Sequence, residues 1–333
     1  AKALEKAKTE NKLVFIDTYT SWCMPCKYMA NTIFPKSEMG EYLNPRFVCV
    51  KFNTEEGEGA EIMKRYEISA FPTFLILNTK GEVQHRIVGG SETAEDFIKR
   101  VAEGLDEDKA IGILAAKYEK GDRDVKLLVK YARALLAVDD PLTVQVANEL
   151  ISKLNDSQRV DSAYWFIYEH SVLTQVGSPN MEYLLANAER FQKSIGAERV
   201  NEKIATAFDL QLTNMITGRD RQSGMEAIDK VEKEMEKYEF PSKSRLKLFV
   251  EIARVQKSGD VEKLLQVCEK NIPQIEHEHL LAMFFPLSLT IKRNGNEDQQ
   301  QRILKLAKTL LAETTNDKFK FSLGQFIPYA LEK

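Results

Sequence analysis

The chain has 333 residues, of which 43% are hydrophobic and 29% charged, and its net charge is −3. This length exceeds that of a usual single domain, so we expect two domains. The nearly balanced charge argues against a nucleic-acid partner. No apolar run approaches the roughly 18 residues that cross a bilayer, which argues against direct insertion into a membrane.

The first twelve residues are rich in Ala, Lys and Glu and have high helix propensity. They contain neither an initiator Met nor an apolar signal region. We therefore expect either a mature chain cleaved after a signal peptide or a shortened chain.

The next ninety residues alternate strand and helix patterns. Apolar runs predict strands at Leu13–Tyr19, Phe47–Asn53, Thr73–Leu77 and 82–88, the last two joined by a short loop with a Gly. Helices are predicted from residue 27, interrupted by Pro35 and restarting over 36–43, then over 61–66 and 93–102. This order predicts a mixed sheet with helices on its faces.

After residue 105 the strand signals disappear and helical periodicity continues to the end. Leu246, Phe249, Val250 and Ala253 show it at i, i+3, i+4 and i+7. Gly-centred breaks at Gly218, Gly259 and Gly295 lie 41 and 36 residues apart, close to the period of stacked helix pairs. We expect ten to twelve helices in an irregular α-solenoid that resembles tetratricopeptide-type repeats. A compact all-α bundle is the alternative.

Two cysteines separated by two residues, Cys23 and Cys26, lie between the first predicted strand and a helix. The N–H groups and dipole at a helix start favour an anion, and the thiolate is the reactive form of cysteine. The pair therefore predicts a dithiol–disulfide exchange centre. An inert structural disulfide is the alternative, but so short a loop adds little stability.

The other cysteines and the histidines do not indicate a metal site. Cys49 lies in a predicted strand and Cys268 at helical spacing, so both are expected to be buried small hydrophobes. There is no second C-x-x-C motif and no His at ligand spacing. Histidines 277 and 279 diverge at i, i+2 on a helix, and the stretch 276–279 is predicted to be a solvated turn. No metal is expected.

Residues 1–104 resemble the thioredoxin family. The matching features are the segment Trp22-Cys23-Met24-Pro25-Cys26-Lys27, Asp17 six positions before Cys23, Lys51 in the next strand, Phe71-Pro72-Thr73, and Val88-Gly89-Gly90. The helix after the dithiol resembles the C-terminal domain of DsbD-type thiol–disulfide interchange proteins. The resemblance implies an α/β thioredoxin-like domain over 1–104 and an all-α helical-repeat domain over 105–333. The family fold begins with a further strand, which we expect either to be absent from this protein or to have been removed from this chain.

The resemblance assigns the chemistry to four residues. Cys23 would be the nucleophile, and Cys26, less exposed, the resolving thiol. Asp17 sits in an otherwise apolar strand, so desolvation should raise its pKa, and by resemblance it helps to take the proton from Cys26. Lys51 would be its electrostatic partner. The alternatives are a structural, hydrogen-bonded Asp17 and an ordinary strand lysine.

The substrate-facing surface follows from the same resemblance. Pro72 should follow a cis peptide bond. The backbone of Phe71 would pair with substrate, and Gly89 would let a substrate chain pass close. The remaining residues of this surface are Trp22, Met24 and Pro25. A plain turn proline and a packing Trp22 are the alternatives. Met24 and Phe71 depart from the residues usual in the family, which bears on redox potential and substrate choice.

The expected function is a protein-disulfide reductase that uses the Cys23–Cys26 pair and no dissolved cofactor. Its partners would be disulfide-bearing proteins and an electron-donor thiol protein, membrane-bound if the chain is periplasmic. The helical domain would select the partner. The alternatives are a redox-gated binding scaffold and a thiol oxidase or isomerase. The resemblance implies the periplasm or cell envelope, with the cytoplasm as the alternative.

Overall fold

A four-stranded sheet in the order β2–β1–β3–β4 organises the N-terminal part of the chain. The computed structural model describes residues 1–220, 224–280 and 282–332, without the side chains of Glu278 and His279. The strands are β1 (Leu13–Tyr19), β2 (Phe47–Asn53), β3 (Thr73–Leu77) and β4 (Val83–Val88). β2 is parallel to β1, whereas the β1–β3 and β3–β4 pairs are antiparallel. Three predicted strands are confirmed with their bounds, and the fourth begins one residue late.

Five helices cover the two faces of this sheet. They are α1 (Lys2–Glu10), α2 (Met24–Tyr28), α3 (Ser37–Leu43), α4 (Gly57–Arg65) and α5 (Ala94–Glu103), and a π-helical turn, Met29–Ile33, continues α2. Because strand side chains alternate, Phe15 and Phe74 pack with Phe97 of α5 on one face. Val14 and Ile16 pack with Ala7 of α1 on the other. The predicted mixed α/β arrangement is confirmed.

The edge strand β2 leaves Cys49 exposed, so the prediction that this thiol is buried is wrong. Cys49 lies opposite Phe15 in the β1–β2 register. Both residues line an open pocket of about 390 Å³ that also includes Phe34 and Leu43. The strand pattern predicts an apolar environment, but the helices on this face do not cover the edge at Cys49.

The opposite edge strand, β4, is covered by residues beyond the predicted domain boundary. Helix α6 (Ile111–Glu119) packs against it. A Cβ on Gly112 would lie 1.9 Å from the carbonyl oxygen of Val83, so only glycine permits this approach. The backbone N–H of Ile111 donates to Nδ1 of His85 over 3.4 Å. The first compact unit accordingly extends to Arg159 and the second covers Val160–Lys333. The boundary at 104/105 stays a prediction.

The described residues after β4 contain helices and no strand. The first unit ends with α7 (Val125–Leu136), α8 (Thr143–Lys153) and α9 (Asp156–Arg159). The second contains α10 (Trp165–Glu169), α11 (Pro179–Ala186), α12 (Ala188–Ile195), α13 (Ala197–Thr217), α14 (Met225–Glu236), α15 (Lys243–Ser258), α16 (Val261–Asn271), α17 (His277–Leu280), α18 (Phe284–Asn294), α19 (Glu297–Glu313) and α20 (Asp317–Phe326). Short 3₁₀ and π segments occur at Ser162–Tyr164, Ile272–Gln274 and Ile327–Leu331.

Several details of the helical region differ from the sequence prediction. The helices after α5 number fifteen in the described residues, against ten to twelve predicted, because four-residue helices such as α9 carry no periodicity. The stretch predicted to be a solvated turn contains α17, and the His277 ring lies 5.4 Å from that of Phe319.

The prediction that Cys268 is buried is confirmed. Gly218 and Gly259 end α13 and α15 with positive φ, as the predicted breaks require.

Replacing Gly112 by Ala should destabilise the first unit by about 1–3 kcal/mol, because the new methyl group collides with the β4 backbone. The measurement is urea unfolding followed by Trp22 fluorescence in a Trp165→Phe background, since the chain has only two Trp residues. The matched control is Gly40→Ala in α3, where a Cβ meets only the Asn44 side chain at 3.5 Å. We expect this control to be neutral or stabilising. Equal effects of the two changes would contradict the packing of α6 on β4.

Candidate active site

The dithiol lies where β1 passes into α2. Cys23 is the N-cap residue of α2, and its Sγ accepts a hydrogen bond from the backbone N–H of Cys26 over 3.1 Å. The two cysteines form a disulfide with their Cα atoms 5.3 Å apart. The structure therefore confirms the predicted position of Cys23 at a helix start, where an N–H group already points at its sulfur.

Both cysteines are buried in this disulfide form. Cys23 is 3% exposed and Cys26 is 6% exposed, so the two residues are buried alike, and the lower exposure expected of the Cys26 thiol stays a prediction. One small ring holds both sulfur atoms, and burial of one accompanies burial of the other. The adjacent side chains are open instead, since Trp22 is 66% and Met24 70% exposed. Pro25 is also exposed, in the first turn of α2.

The predicted substrate-facing residues come from three separate segments that meet beside the dithiol loop. The rings of Trp22 and Phe71 are in edge-to-face contact, with centroids 6.1 Å apart. The Phe71–Pro72 peptide bond is cis, as predicted. The backbone N–H of Gly89 donates to the Pro72 carbonyl over 2.8 Å. One surface therefore carries Trp22, Phe71 and Gly89 around the buried Pro72.

Two charged residues that the sequence analysis missed support this surface. The backbone N–H of Ser21 donates to a carboxylate oxygen of Glu55 over 2.6 Å, and hydrogen bonds from Ser21 and Trp22 lower the pKa of Glu55. Arg100 donates to the carbonyls of residues 88, 89 and 90 over 2.6, 3.1 and 3.0 Å. Glu55 closely follows β2, and the ends of the parallel strands β1 and β2 lie at the same edge of the sheet. The sequence pattern could therefore have indicated that Glu55 lies near the dithiol. No sequence pattern indicated the position of Arg100.

The helix after the dithiol is fastened to the segment that follows β4. The Tyr28 hydroxyl donates to the Glu92 carbonyl over 3.0 Å. The Ser91 N–H points at the sulfur of Met29 over 3.4 Å. These contacts hold the residues after Gly89 against the helix that carries Cys26.

Asp17 and Lys51 lie opposite each other in the β1–β2 register. Asp17 is partly buried, and burial raises its pKa to about 6, against the opposing effect of Lys51. Both residues line the pocket that contains Cys49. In the described part of the chain, no hydrogen bond joins Asp17 to either cysteine. The raised pKa predicted for Asp17 is confirmed, but its role in proton transfer stays a prediction.

Comparison with known proteins identifies the N-terminal domain. A family model for a thioredoxin-like domain matches residues 1–104. A thioredoxin of Echinococcus granulosus is 31% identical over 90 residues, which cover 27% of this chain and 78% of that protein. The chain belongs to the thioredoxin-like family. The thiol:disulfide interchange protein DsbD of Pseudomonas fluorescens is 28% identical over 100 residues, 29% of this chain and 17% of DsbD.

The thioredoxin-like match covers only part of the proteins compared. The chain spans 17%, 55% and 51% of the lengths of the first three curated relatives. Among solved structures, the oxidised DsbD C-terminal domain of Neisseria meningitidis is 22% identical, with a TM-score of 0.28, over 31% of this chain and 90% of that domain.

The described residues offer neither a metal cluster nor a membrane-crossing helix. In residues 1–220, 224–280 and 282–332, no group of three or more His, Cys, Asp or Glu side chains is arranged to hold a metal ion. The side chains of Glu278 and His279, which belong to the predicted turn at 276–279, lie outside the described residues. Among the helices described, none is both long and apolar enough to cross a membrane.

The raised pKa of Asp17 predicts a pH-dependent stability of the thioredoxin-like domain. The folded chain holds this proton up to about pH 6, whereas the unfolded chain releases it near 3.8. The contribution of Asp17 to the free energy of unfolding should therefore fall as pH rises from about 4 to 6, by up to about 3 kcal/mol. Burial lowers the pKa of His85 to about 4, so the contribution of His85 rises over the same range. Asp17→Asn should therefore differ from the parent chain by the Asp17 slope alone, and it should be more stable than the parent chain at pH 7.

Urea unfolding of the oxidised protein between pH 4 and 7, followed by Trp22 fluorescence in the Trp165→Phe background, measures this effect. Glu41→Gln, which removes an exposed carboxylate from α3, is the control and should keep the parent slope. An Asp17→Asn protein with the parent slope would show that Asp17 does not titrate in this range.

Proposed function

We propose that this chain is a thiol–disulfide oxidoreductase that reduces disulfides in proteins. The thiolate of Cys23 attacks a substrate disulfide and forms a mixed disulfide, and one substrate sulfur leaves as a thiolate. The Cys26 thiol loses its proton and attacks Cys23, which releases the second substrate thiolate and closes the Cys23–Cys26 disulfide. Membership in the thioredoxin-like family supports this reaction class.

The hydrogen bond from the Cys26 N–H to Cys23 Sγ is the observation that carries the proposal. After reduction, the same N–H can donate to the Cys23 thiolate, and a hydrogen bond to the charged form lowers a pKa. Cys26 lies one turn further into the helix, where its own sulfur lacks this arrangement. This difference supports Cys23 as the nucleophile, although the two residues are buried alike.

Asp17 is proposed to assist the second step. A carboxyl group with a pKa of about 6 is mostly ionised at pH 7 and basic enough to take up a proton from a nearby thiol. Lys51, opposite Asp17, stabilises the ionised form. In the closed disulfide Cys26 carries no proton, and no hydrogen bond joins it to Asp17 among the described residues. The proton would pass from the Cys26 thiol of the mixed disulfide to Asp17, directly or through a water molecule.

The reducing direction is proposed from the residues between the cysteines. Met24 and Pro25 offer no His, unlike the dipeptides of strongly oxidising relatives. Oxidised Cys23–Cys26 must then receive electrons from a donor thiol protein. The likeness to DsbD supports a donor of this kind, and we propose the cell envelope as the compartment, with a membrane-bound donor. A cytoplasmic reductase, an oxidase and an isomerase remain the alternatives, and the reduction potential separates the redox roles.

The helical second unit is proposed to select the substrate. A groove of about 840 Å³ runs along one face of α13 towards the start of α15. Exposed Glu198, Glu202, Thr206 and Leu210 follow one another at every fourth position on this face. Arrays of helices bind peptides along such extended surfaces. A redox-gated scaffold would use the same groove without turnover, and reduction of insulin disulfides in the presence of dithiothreitol distinguishes it from the reductase.

Cys23 should have a pKa well below the free-thiol value of about 8.5. The measurement is the pH dependence of iodoacetamide alkylation of reduced protein carrying Cys26→Ser, Cys49→Ser and Cys268→Ser, so that Cys23 is the only thiol. The matched protein retains Cys26 and carries Cys23→Ser, and its midpoint should be higher. A Cys23 midpoint at or above about 8.5 would remove the basis for its role as nucleophile.

Cys26→Ala should trap substrates as mixed disulfides on Cys23, because no thiol remains to resolve them. The trapped proteins are compared among the full chain, the compact unit that ends at Arg159, and the full chain with Thr206→Trp in the groove. Lys233→Trp, at an exposed site on α14 outside the groove, is the control. We expect the short chain and the groove variant to lose the same substrates. Identical sets from all four proteins would refute selection by the helical unit and leave the dithiol chemistry intact.

A further inference from the structure

The groove along α13 has an uneven distribution of charge. Glu198 and Glu202 line one end of it, and Arg219, which follows α13, lines the other. Between them, Asp209 is paired with Arg245 of α15 at 3.0 Å, so the middle of the groove is close to neutral. Arg219 lies roughly 25 Å or more along the helix axis from the two glutamates, well beyond a Debye length of about 8 Å. It therefore does not compensate their charge.

The cations next to these glutamates in the sequence are held by other partners. Arg199 forms an ion pair with Glu169 of α10. Lys203 is buried, and its Nζ donates to the Thr174 carbonyl over 3.3 Å. In the described part of the chain, neither glutamate of the groove has a hydrogen-bond or ion-pair partner, and both are exposed. Two carboxylates are therefore open to a ligand at this end of the groove.

The two free carboxylates are neighbours on the surface of α13. Glu198 is in the first turn, where the helix dipole favours a negative charge. Glu202 lies one turn further along, and like charges at i, i+4 repel each other. Carboxylate pairs on two other helices of this unit each share an arginine, namely Asp229 and Glu232 with Arg254, and Glu262 and Glu269 with Arg302. The pair in the groove has no such cation, so a ligand that supplies one would relieve the repulsion.

An exposed apolar side chain lies further along the same face of α13. Leu210 is 44% exposed, and it lines the groove together with Ala205 and Pro241. A large apolar side chain that is open to solvent in a concave surface gains free energy when a ligand covers it. The groove therefore offers an apolar contact in addition to the two carboxylates.

The spacing along α13 matches that of an extended peptide. Glu198 and Glu202 are about 6 Å apart along the helix axis, and Leu210 is about 12 Å beyond Glu202. An extended chain advances about 3.3 Å per residue, and its side chains alternate between two sides. Two residues that are two positions apart, and a third that is four positions further, would thus face the groove from one side of the peptide.

We propose that the groove binds an extended segment of a disulfide-bearing protein that has two basic residues two positions apart and an apolar residue four positions beyond them. The basic side chains pair with Glu198 and Glu202, and the apolar side chain covers Leu210. An acidic segment is disfavoured because it would meet two unpaired carboxylates. This inference rests on the substrate selection proposed above and names the class of segment that is selected.

The probe is the peptide acetyl-Gly-Lys-Ser-Lys-Ser-Gly-Ser-Leu-Gly-amide, used together with its reversed sequence because the groove does not fix the direction of the bound chain. Titrations of the full-length oxidised chain are followed by amide chemical shifts in ¹H–¹⁵N spectra. We expect at least one of the two peptides to bind with a Kd of about 1 mM or tighter and to shift the amides of residues 198–210.

Two control peptides test the charge and the spacing. A peptide with glutamates in place of both lysines should not bind, because it repels the carboxylates of the groove. A shuffled peptide of the same composition, in which the lysines and the leucine are consecutive, should bind about threefold more weakly, because its three side chains cannot all face the groove.

Variants of the protein locate the site. Glu202→Gln and Leu210→Ser should each weaken binding by about fivefold. The double variant Glu198→Lys with Glu202→Lys should lose the lysine peptide and bind the glutamate peptide instead, which a merely damaged fold would not do. Glu226→Gln removes an exposed carboxylate of α14 outside the groove and should change nothing.

The inference is overturned if neither lysine peptide binds, if the shifted amides lie outside the groove, or if the glutamate or the shuffled peptide binds the parent chain equally well. Equal weakening by Glu226→Gln and Glu202→Gln would indicate attraction by general charge and would likewise reject it. Reduction of insulin by the same chain separates the two proposals. A chain that reduces insulin but binds neither lysine peptide refutes only the basic segment, and one that binds such a peptide without reducing insulin refutes only the reductase.

Discussion

The two-sided pairing of β1 is the constraint on which the active site depends. β1 bonds to β2 in parallel and to β3 in antiparallel orientation, so its position in the sheet is fixed from both sides. Its alternating side chains pack into both cores, and Asp17 is held opposite Lys51 near its end. The chain then leaves the strand directly into the loop and helix that carry the cysteines. A shift of one residue in this register would exchange the two faces and displace Asp17.

The surface around the dithiol is assembled by contacts between loops. The Trp22 ring meets Phe71, the Gly89 N–H reaches the Pro72 carbonyl, and Tyr28 and Met29 hold the residues that follow Gly89. Glu55 and Arg100 contribute charge where backbone groups would otherwise lack partners. Exposed side chains, among them Trp22 and Met24, therefore surround a disulfide whose two cysteines are buried.

Some of the helices beyond the thioredoxin-like match belong to the first unit and cover part of its sheet, whereas the later ones form the second unit. α6 approaches β4 so closely that Gly112 has no room for a side chain, and the edge strand is thereby protected from pairing with other chains. The same addition encloses a pocket of about 390 Å³ that is lined by residues of β4, α5 and α7. At the other edge of the sheet, β2 stays open, and Cys49 and Asp17 share a pocket there. The two edges of one sheet therefore differ in what they expose.

The sequence by itself determined the features that depend on short-range patterns. Runs of apolar residues located β1, β2 and β3 to the residue, and the Cys23–Cys26 spacing at a helix start identified the dithiol. Desolvation of a carboxyl group in an apolar strand was also predictable, which is why the raised pKa of Asp17 was anticipated.

Tertiary structure decided the features that depend on which elements come into contact. An edge position exposes Cys49, although its strand pattern indicates burial. The topology of the chain brings Glu55 and Arg100 to the dithiol from distant segments. A close glycine contact packs α6 against the sheet, although the sequence pattern had assigned α6 to a separate helical domain. Local patterns record whether a residue prefers burial, whereas only the packed chain determines whether a neighbour is present to provide it.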